Sequence, residues 1–194
     1  MKRSMREGAT VLDRRLRACD LDDLPHEWDS RYELVGGVLF MSRRPSNQHQ
    51  EAITRLVVAL YPPVTAMGGK VLPEPGLLWE EDGEDNVAPD VAVILPGRLE
   101  IVQAKLRGTP NLLIEVLGSG SEGRRRDLEA KRDLYFRRGA EEYWVLDTDR
   151  RVLIRMTRGP VDWVADELTC TDVVRTPLLP AWPGVTVNEV LPLA

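Results

Sequence analysis

The sequence predicts a mixed α/β domain with an α+β tendency, and three observations carry that expectation. VAVIL at Val91–Leu95, LLIEVL at Leu112–Leu117 and EYWVLD at Glu142–Asp147 are apolar runs of strand length. Helical patterns occur over Asn47–Leu60, after the hairpin-like Arg31–Met41, and over Glu122–Arg138, between the last two of these runs. The C-terminal part carries several hairpin-like returns, too many for a purely parallel sheet.

Residues 1–20 are expected to form a flexible, mainly polar leader, and 21–194 a single domain. A chain of 194 residues suits one substantial core and is short for two. Asp20–Glu27 reads as a short helical turn that Pro25 ends or bends. A hairpin follows over Arg31–Met41, because Gly36 and Gly37 supply the positive φ angles of a tight turn. Glu33 lies on its first arm. Ser46 is suited to cap the next helix, and His49 falls in the first turn. Ile53, Leu56, Val57 and Leu60 form its core-facing stripe, and Pro62 and Pro63 are expected to end it.

Lys70–Leu72, Gly76–Trp79 and Val87–Leu95 read as three neighbouring strands, with the acidic loop Glu80–Asp85 before the last. A linker over 96–109 has helical potential from Leu99 to Leu106. After the strand Leu112–Leu117, a flexible turn at Gly118–Ser121 leads into the second long helix, which Gly139 stops. Glu142–Asp147 then turns back through Val152–Met156. Asp162–Glu167 and Thr171–Arg175 are weaker, edge-like strands, and Pro183–Val187 leads to a terminal turn or helix with Val190 and Leu191.

Composition narrows the function classes. Hydrophobic content of 43% with 29% charged residues is ordinary for a globular domain. The formal net charge of -5 argues against a generally basic nucleic-acid binder, while leaving room for a local basic surface. Cys19 and Cys170 are the only cysteines; they give no disulfide framework and no thiolate zinc cluster, so a reducing cytoplasm is expected. The first residues form neither a signal peptide nor a membrane anchor, and no run approaches transmembrane length. Walker-type and Rossmann glycine loops, a GxSxG elbow and structural-zinc spacing are all missing.

Two carboxylates stand out. Glu115 sits in the middle of an apolar strand, where an acid is seldom buried unless paired or metal-bound. Asp90, confined by Pro89, sits at the mouth of another. A hard cation such as Mg²⁺ or Mn²⁺ takes one or two carboxylates with main-chain carbonyls and waters. On local pattern alone, a strand cap at Asp90 and an arginine partner for Glu115 explain the two acids equally well. On the second helix, Asp127, Leu128, Lys131 and Tyr135 share one arc at about 100° per residue. Lys131 also stands four after Asp127, the spacing of an ordinary helical ion pair. Between Arg124 and Arg138, seven basic side chains face three acidic ones, a local excess suited to a polyanion or simply to solvent. Glu33 and His49 gain interest only if the fold brings them to the carboxylates.

The ordered set YELVGG around Glu33, His49, Pro89-Asp90-Val91, PNLLIEV ending at Val116, Asp127 with Lys131 and Tyr135, then Gly139 and EYWVLD resembles the Uma2 family over residues 20–192. These are restriction-endonuclease-like proteins, similar to the PD-(D/E)xK nuclease superfamily. The resemblance implies a restriction endonuclease-like fold: a central mixed β-sheet flanked by helices with extra antiparallel hairpins. It implies that Asp90 is the motif aspartate, Glu115 the second acid, and the Val116 carbonyl an additional ligand of Mg²⁺ (or Mn²⁺). Leu117 stands where the superfamily carries lysine; the resemblance assigns that role to Lys131, migrated to the following helix. Asn111 and Gly118 stand where family members more often have aspartate and serine.

The resemblance also implies that Glu33 is an added acid, expected to bind the ion through water or to complete a second-ion site, with His49, Asp127 and Tyr135 as accessory candidates. Arg124, Arg125 and Arg126 are candidate phosphate contacts. The implied activity is Mg²⁺-dependent hydrolysis of DNA by a homodimer, since cutting both strands calls for two sites. A non-catalytic nucleic-acid or protein-binding module, or a metal-dependent hydrolase of another phosphoester, is the alternative.

Overall fold

The structure is a computed structural model that describes residues 15–25, 30–43, 45–117 and 126–193. A 3-10 turn at Ala18–Asp23 precedes a hairpin of β1 (Ser30–Val35) and β2 (Val38–Arg43). Val35 pairs with Val38 across the turn, where Gly36 and Gly37 take φ of +56° and +73°, as a two-residue type I′ turn requires. Arg15–Asp20, inside the expected leader, lies against this hairpin. Leu16 is buried, its N–H donates to the Gly37 carbonyl at 2.9 Å, and the Ala18 N–H donates to the Gly83 carbonyl at 2.9 Å.

Helix α1 (Asn47–Ala66) starts at Ser46, whose side chain accepts the His49 N–H. It continues through Pro62 and Pro63 instead of ending there. The two missing N–H groups would have met the Val58 and Ala59 carbonyls, and Val58 is 67% exposed, so this flank of the helix lies open to solvent. On the inner face Val64 is fully buried and prolongs the core stripe of Ile53, Leu56 and Leu60.

Next come β3 (Lys70–Pro73), β4 (Leu77–Leu78), β5 (Asn86–Val87) and β6 (Val91–Ile94). These are not three neighbouring strands. The expected strand Val87–Leu95 breaks at Pro89-Asp90, and its two halves enter different sheets. Segment 96–109 is a 3-10 turn at Pro96–Ile101 followed by β7 (Leu106–Arg107), not a helix reaching Leu106.

Strand β8 (Leu112–Leu117) is followed by α2, which has a π-helical turn at Arg126–Lys131 and an α-helical turn at Arg132–Arg137, ending at Gly139 with φ +88°. The start expected at Glu122 lies outside the described residues. β9 (Glu142–Asp147), β10 (Val152–Arg158), β11 (Trp163–Leu168), β12 (Val173–Val174), β13 (Val185–Thr186) and α3 (Val187–Val190) complete the chain.

A six-stranded mixed sheet has the order β11-β10-β9-β8-β6-β3, with β8 and β9 its parallel pair. A five-stranded sheet has the order β2-β1-β5-β4-β7. Alternation along β8 divides the core. Leu112, Ile114 and Val116 face α1 and α3, while Leu113 and Leu117 face α2 and the five-stranded sheet. Glu115 therefore belongs to the α2 face.

A Cβ on Gly37 would lie 2.6 Å from the Arg15 Cβ and 3.1 Å from the Leu16 carbonyl oxygen, on a backbone already at φ +73°. Gly37→Ala is expected to lower stability by about 1–3 kcal/mol, read as a reduced urea midpoint. An unchanged midpoint would show that Arg15 and Leu16 do not rest on this turn.

Candidate active site

Ala88, Pro89 and Asp90 form the crossing between the sheets, since β5 ends at Val87 and β6 begins at Val91. The β6–β8 register pairs Val91 with Ile114; one further step sets Asp90 opposite Glu115. There the main-chain ladder stops and a side chain takes over. The Val116 N–H donates to Asp90 Oδ2 at 2.6 Å. A strand residue directs its N–H and C=O to the same side, so the Val116 carbonyl also faces the edge that Asp90 occupies. His49 Nε2 lies 3.1 Å from Asp90 Oδ1.

Glu115 is 1% exposed, and two donors converge on its Oε1: Lys131 Nζ and the Tyr135 hydroxyl, each at 2.9 Å. Lys131 Nζ also lies 2.8 Å from Glu33 Oε1 and 3.8 Å from Asp127 Oδ1. Glu33 Oε1 accepts the Ala88 N–H at 2.8 Å, and its Oε2 lies 3.2 Å from Arg126. Arg126 grips Asp127 with Nε and Nη2 at 2.8 and 3.2 Å. The π-helical turn presents Arg126, Asp127 and Lys131 together. Such turns recur at functional sites.

Burial dominates the ionisation of this cluster. It pushes the Glu115 carboxyl well above the ordinary glutamate range; Lys131 opposes the rise, while Asp127, Asp90 and Glu33 add to it. Burial also raises Asp127, with Lys131 and Arg126 offsetting part of the effect. Burial works against charge on Glu33 too, yet Lys131, Arg126 and the Ala88 N–H together hold it below its usual value. It likewise opposes the ammonium of Lys131, but Glu115 and Glu33 outweigh it, so Lys131 stays protonated. With all four acids ionised, Glu33, Asp90, Glu115 and Asp127 exceed Lys131 and Arg126 by two negative charges.

The fold thus gathers Asp90, Glu115, Val116, Lys131, Glu33, His49, Asp127 and Tyr135 at one place. Arg126 also joins them, but its guanidinium is turned inward onto Glu33 and Asp127, with the side chain 13% exposed. Arg124 and Arg125 lie outside the described residues. Tyr143, which an apolar strand marks only as core, adds a link: its hydroxyl donates to the Asp127 carbonyl at 2.7 Å, and its ring packs on Tyr135 at 5.2 Å. The Ala88 N–H left no signal in the sequence.

Among the described residues no three His, Cys, Asp or Glu side chains are grouped as a metal cluster. Two adjacent carboxylates and a main-chain carbonyl make a smaller donor set, all oxygen. This suits a hard divalent cation that keeps part of its water shell. The two excess negative charges are of the right sign. In electrostatic and chemical terms the residues fit such an ion.

A family model described as "Uma2: Putative restriction endonuclease" matches residues 19–188. The chain belongs to the Uma2 family. Comparison with curated protein sequences returned no match. Among solved structures, this Uma2 chain is similar to the crystal structure of "a putative nuclease belonging to DUF820" from Anabaena variabilis, with a TM-score of 0.72 and 14% identity over 90% of this chain and 97% of that one. At that identity the likeness speaks to the fold, which is restriction endonuclease-like: a central mixed sheet flanked by helices, with added hairpins. Among the described residues no helix is long and apolar enough to cross a membrane.

Because its pKa is raised on folding, Glu115 keeps its proton to a higher pH in the folded Uma2 chain than in the unfolded one. Between the ordinary glutamate value and the raised one, the folded state binds more protons. Stability from this group therefore falls as pH rises through that window, by at most about 1.4 kcal/mol per pH unit. Urea midpoints in EDTA from about pH 5 to 8 should decline more steeply for wild type than for Glu115→Gln. Parallel profiles would show that Glu115 ionises as an ordinary glutamate.

Proposed function

We propose that this Uma2 protein is a Mg²⁺-dependent endonuclease, also served by Mn²⁺, that hydrolyses DNA phosphodiester bonds. One observation carries the proposal. Asp90 and Glu115 stand opposite each other where the β6–β8 ladder ends, and a buried, protonated Lys131 from α2 reaches Glu115. Asp90, Glu115 and the Val116 carbonyl would hold the cation, which supplies electrophilic activation of the scissile phosphate.

The chain's own groups do the rest. His49 orients Asp90 through Oδ1, and the Val116 N–H fixes Oδ2. Tyr135 steadies Glu115 through Oε1. Glu115 and Glu33 favour the ammonium form of Lys131; its work is to neutralise charge developing on the phosphoryl oxygens and to orient the attacking water. Arg124 and Arg125 remain the candidates for phosphates away from the reacting centre. Cutting a duplex on both strands calls for a homodimer, and the free thiols of Cys19 and Cys170 accord with a reducing cytoplasm.

A second reading, a nucleic-acid- or protein-binding module that retains the nuclease fold, draws support from Leu117. That side chain is 2% exposed in the core, where the superfamily pattern has lysine. Hydrolysis of a smaller phosphoester would use the same groups.

Labelled duplex DNA incubated with Mg²⁺, Mn²⁺ or EDTA separates these readings. Cleavage with either metal, none in EDTA, and a loss of about 100-fold or more in Asp90→Ala, Glu115→Ala and Lys131→Met is the expected result. Wild-type activity in either acid variant rejects the assigned site. Mn²⁺ binding without cleavage of DNA directs the search to other phosphoesters, and neither binding nor cleavage favours the module.

A further inference from the structure

We infer that Glu33 is a positioning residue: it locks Lys131 and the Ala88–Asp90 crossing into one arrangement, and neither metal nor substrate touches it. The role of Lys131 in phosphate chemistry rests on the endonuclease reading, whereas the lock itself rests on geometry.

Glu33 belongs to β1, in the five-stranded sheet, while Glu115 belongs to β8 of the six-stranded one and Asp90 borders it. β1 and β5 share a single paired position, Leu34 with Asn86. Beyond it, the Glu33 side chain takes the Ala88 N–H at 2.8 Å, much as Asp90 takes the Val116 N–H beyond the last β6–β8 pair. The three-residue crossing is thus held by a carboxylate at each end. Glu33 Oε1 also meets Lys131 Nζ at 2.8 Å, and Oε2 meets Arg126 at 3.2 Å. Its side chain is 8% exposed. Each oxygen already meets a buried cation, so a metal ion at Glu33 would sit against an ammonium or a guanidinium, whereas the partners of Asp90 are a main-chain N–H and His49. Glu115 differs: its two donors converge on one oxygen.

The test measures the lock without requiring catalysis. An amine-acylating reagent is applied to the folded, full-length chain, and labelling at Lys131 is read by peptide mass spectrometry, with exposed Lys70 as internal standard. Glu33→Gln is expected to raise Lys131 labelling about tenfold over wild type. Unchanged labelling overturns the inference. If Glu33→Gln does not fold, Arg126→Gln carries the test by loosening Glu33 at Oε2, with a rise of about threefold expected and no rise overturning it.

Calorimetric Mn²⁺ titration then separates positioning from ligation. A residue acting through Lys131 should lose its effect on Mn²⁺ affinity in a Lys131→Gln background. A drop of about tenfold or more that persists there would make Glu33 a ligand and overturn the inference. If wild type takes up no Mn²⁺, the metal-site reading fails, and the labelling result still decides the role of Glu33.

Discussion

Lys131 is 1% exposed, and its ammonium group lies 2.8 and 2.9 Å from carboxylates that belong to two different sheets. An ammonium of that kind is tolerated only if nearby charge and hydrogen bonds replace its water, because desolvation costs several kcal/mol per ion. Removing either carboxylate would leave part of that cost uncompensated, typically about 3–5 kcal/mol. The position of α2 over β8, the approach of the β1 hairpin to the crossing and the depth of Glu115 are therefore linked conditions of one contact. The π-helical turn at Arg126–Lys131 belongs to the same set, since it delivers Arg126 to Glu33 and Asp127 from the helix that delivers Lys131.

The sheet crossing shows how side chains substitute for backbone pairing. A buried strand end normally leaves N–H groups that must find acceptors. At Ala88 and Val116 the acceptors are Glu33 and Asp90, so residues with a structural duty also stand at the site. Both carboxylates are consequently held by main-chain N–H groups, and at Asp90 that is the kind of preorganisation the proposed site would use. Farther out, Arg138 performs a related task, joining the end of α2 to Glu80 and Asp85 of the acidic loop at 2.8 and 2.6 Å.

The sequence was most informative where period and exception coincided. Glu115 within LLIEVL and Asp90 after Pro89 were legible because an acid in an apolar run violates the local pattern. Their proximity followed once the two strands paired. Lys131 and Tyr135 were legible through helical spacing. The fate of Val87–Leu95 was not, because an apolar strand looks the same whichever sheet it joins, and only the tertiary fold breaks it at Pro89-Asp90. Pro62 and Pro63 misled for a related reason. Local chemistry favours a helix end there, but the burial of Val64 and the solvent-facing flank let the helix run on to Ala66. The inward turn of Arg126 was equally hidden, since an arginine run reads as surface until its partners are placed.

What the cluster costs bears on what it is for. Replacing a buried ion pair by apolar residues of similar volume is often neutral or stabilising by about 1–4 kcal/mol, against a net stability of about 5–15 kcal/mol for a typical domain. Leu117, two residues along the same strand and 2% exposed, shows that this face readily accepts an aliphatic side chain. Pairing also falls short of balance, because four carboxyl groups meet two permanent cations. A proton on Glu115 removes one excess charge, in keeping with its raised pKa, whereas a divalent cation at the proposed site would remove both. At the proposed site, metal and proton would therefore compete for the same oxygen atoms. A cluster that only held the two sheets together would gain nothing from that residual charge, whereas the proposed cation site would draw on it.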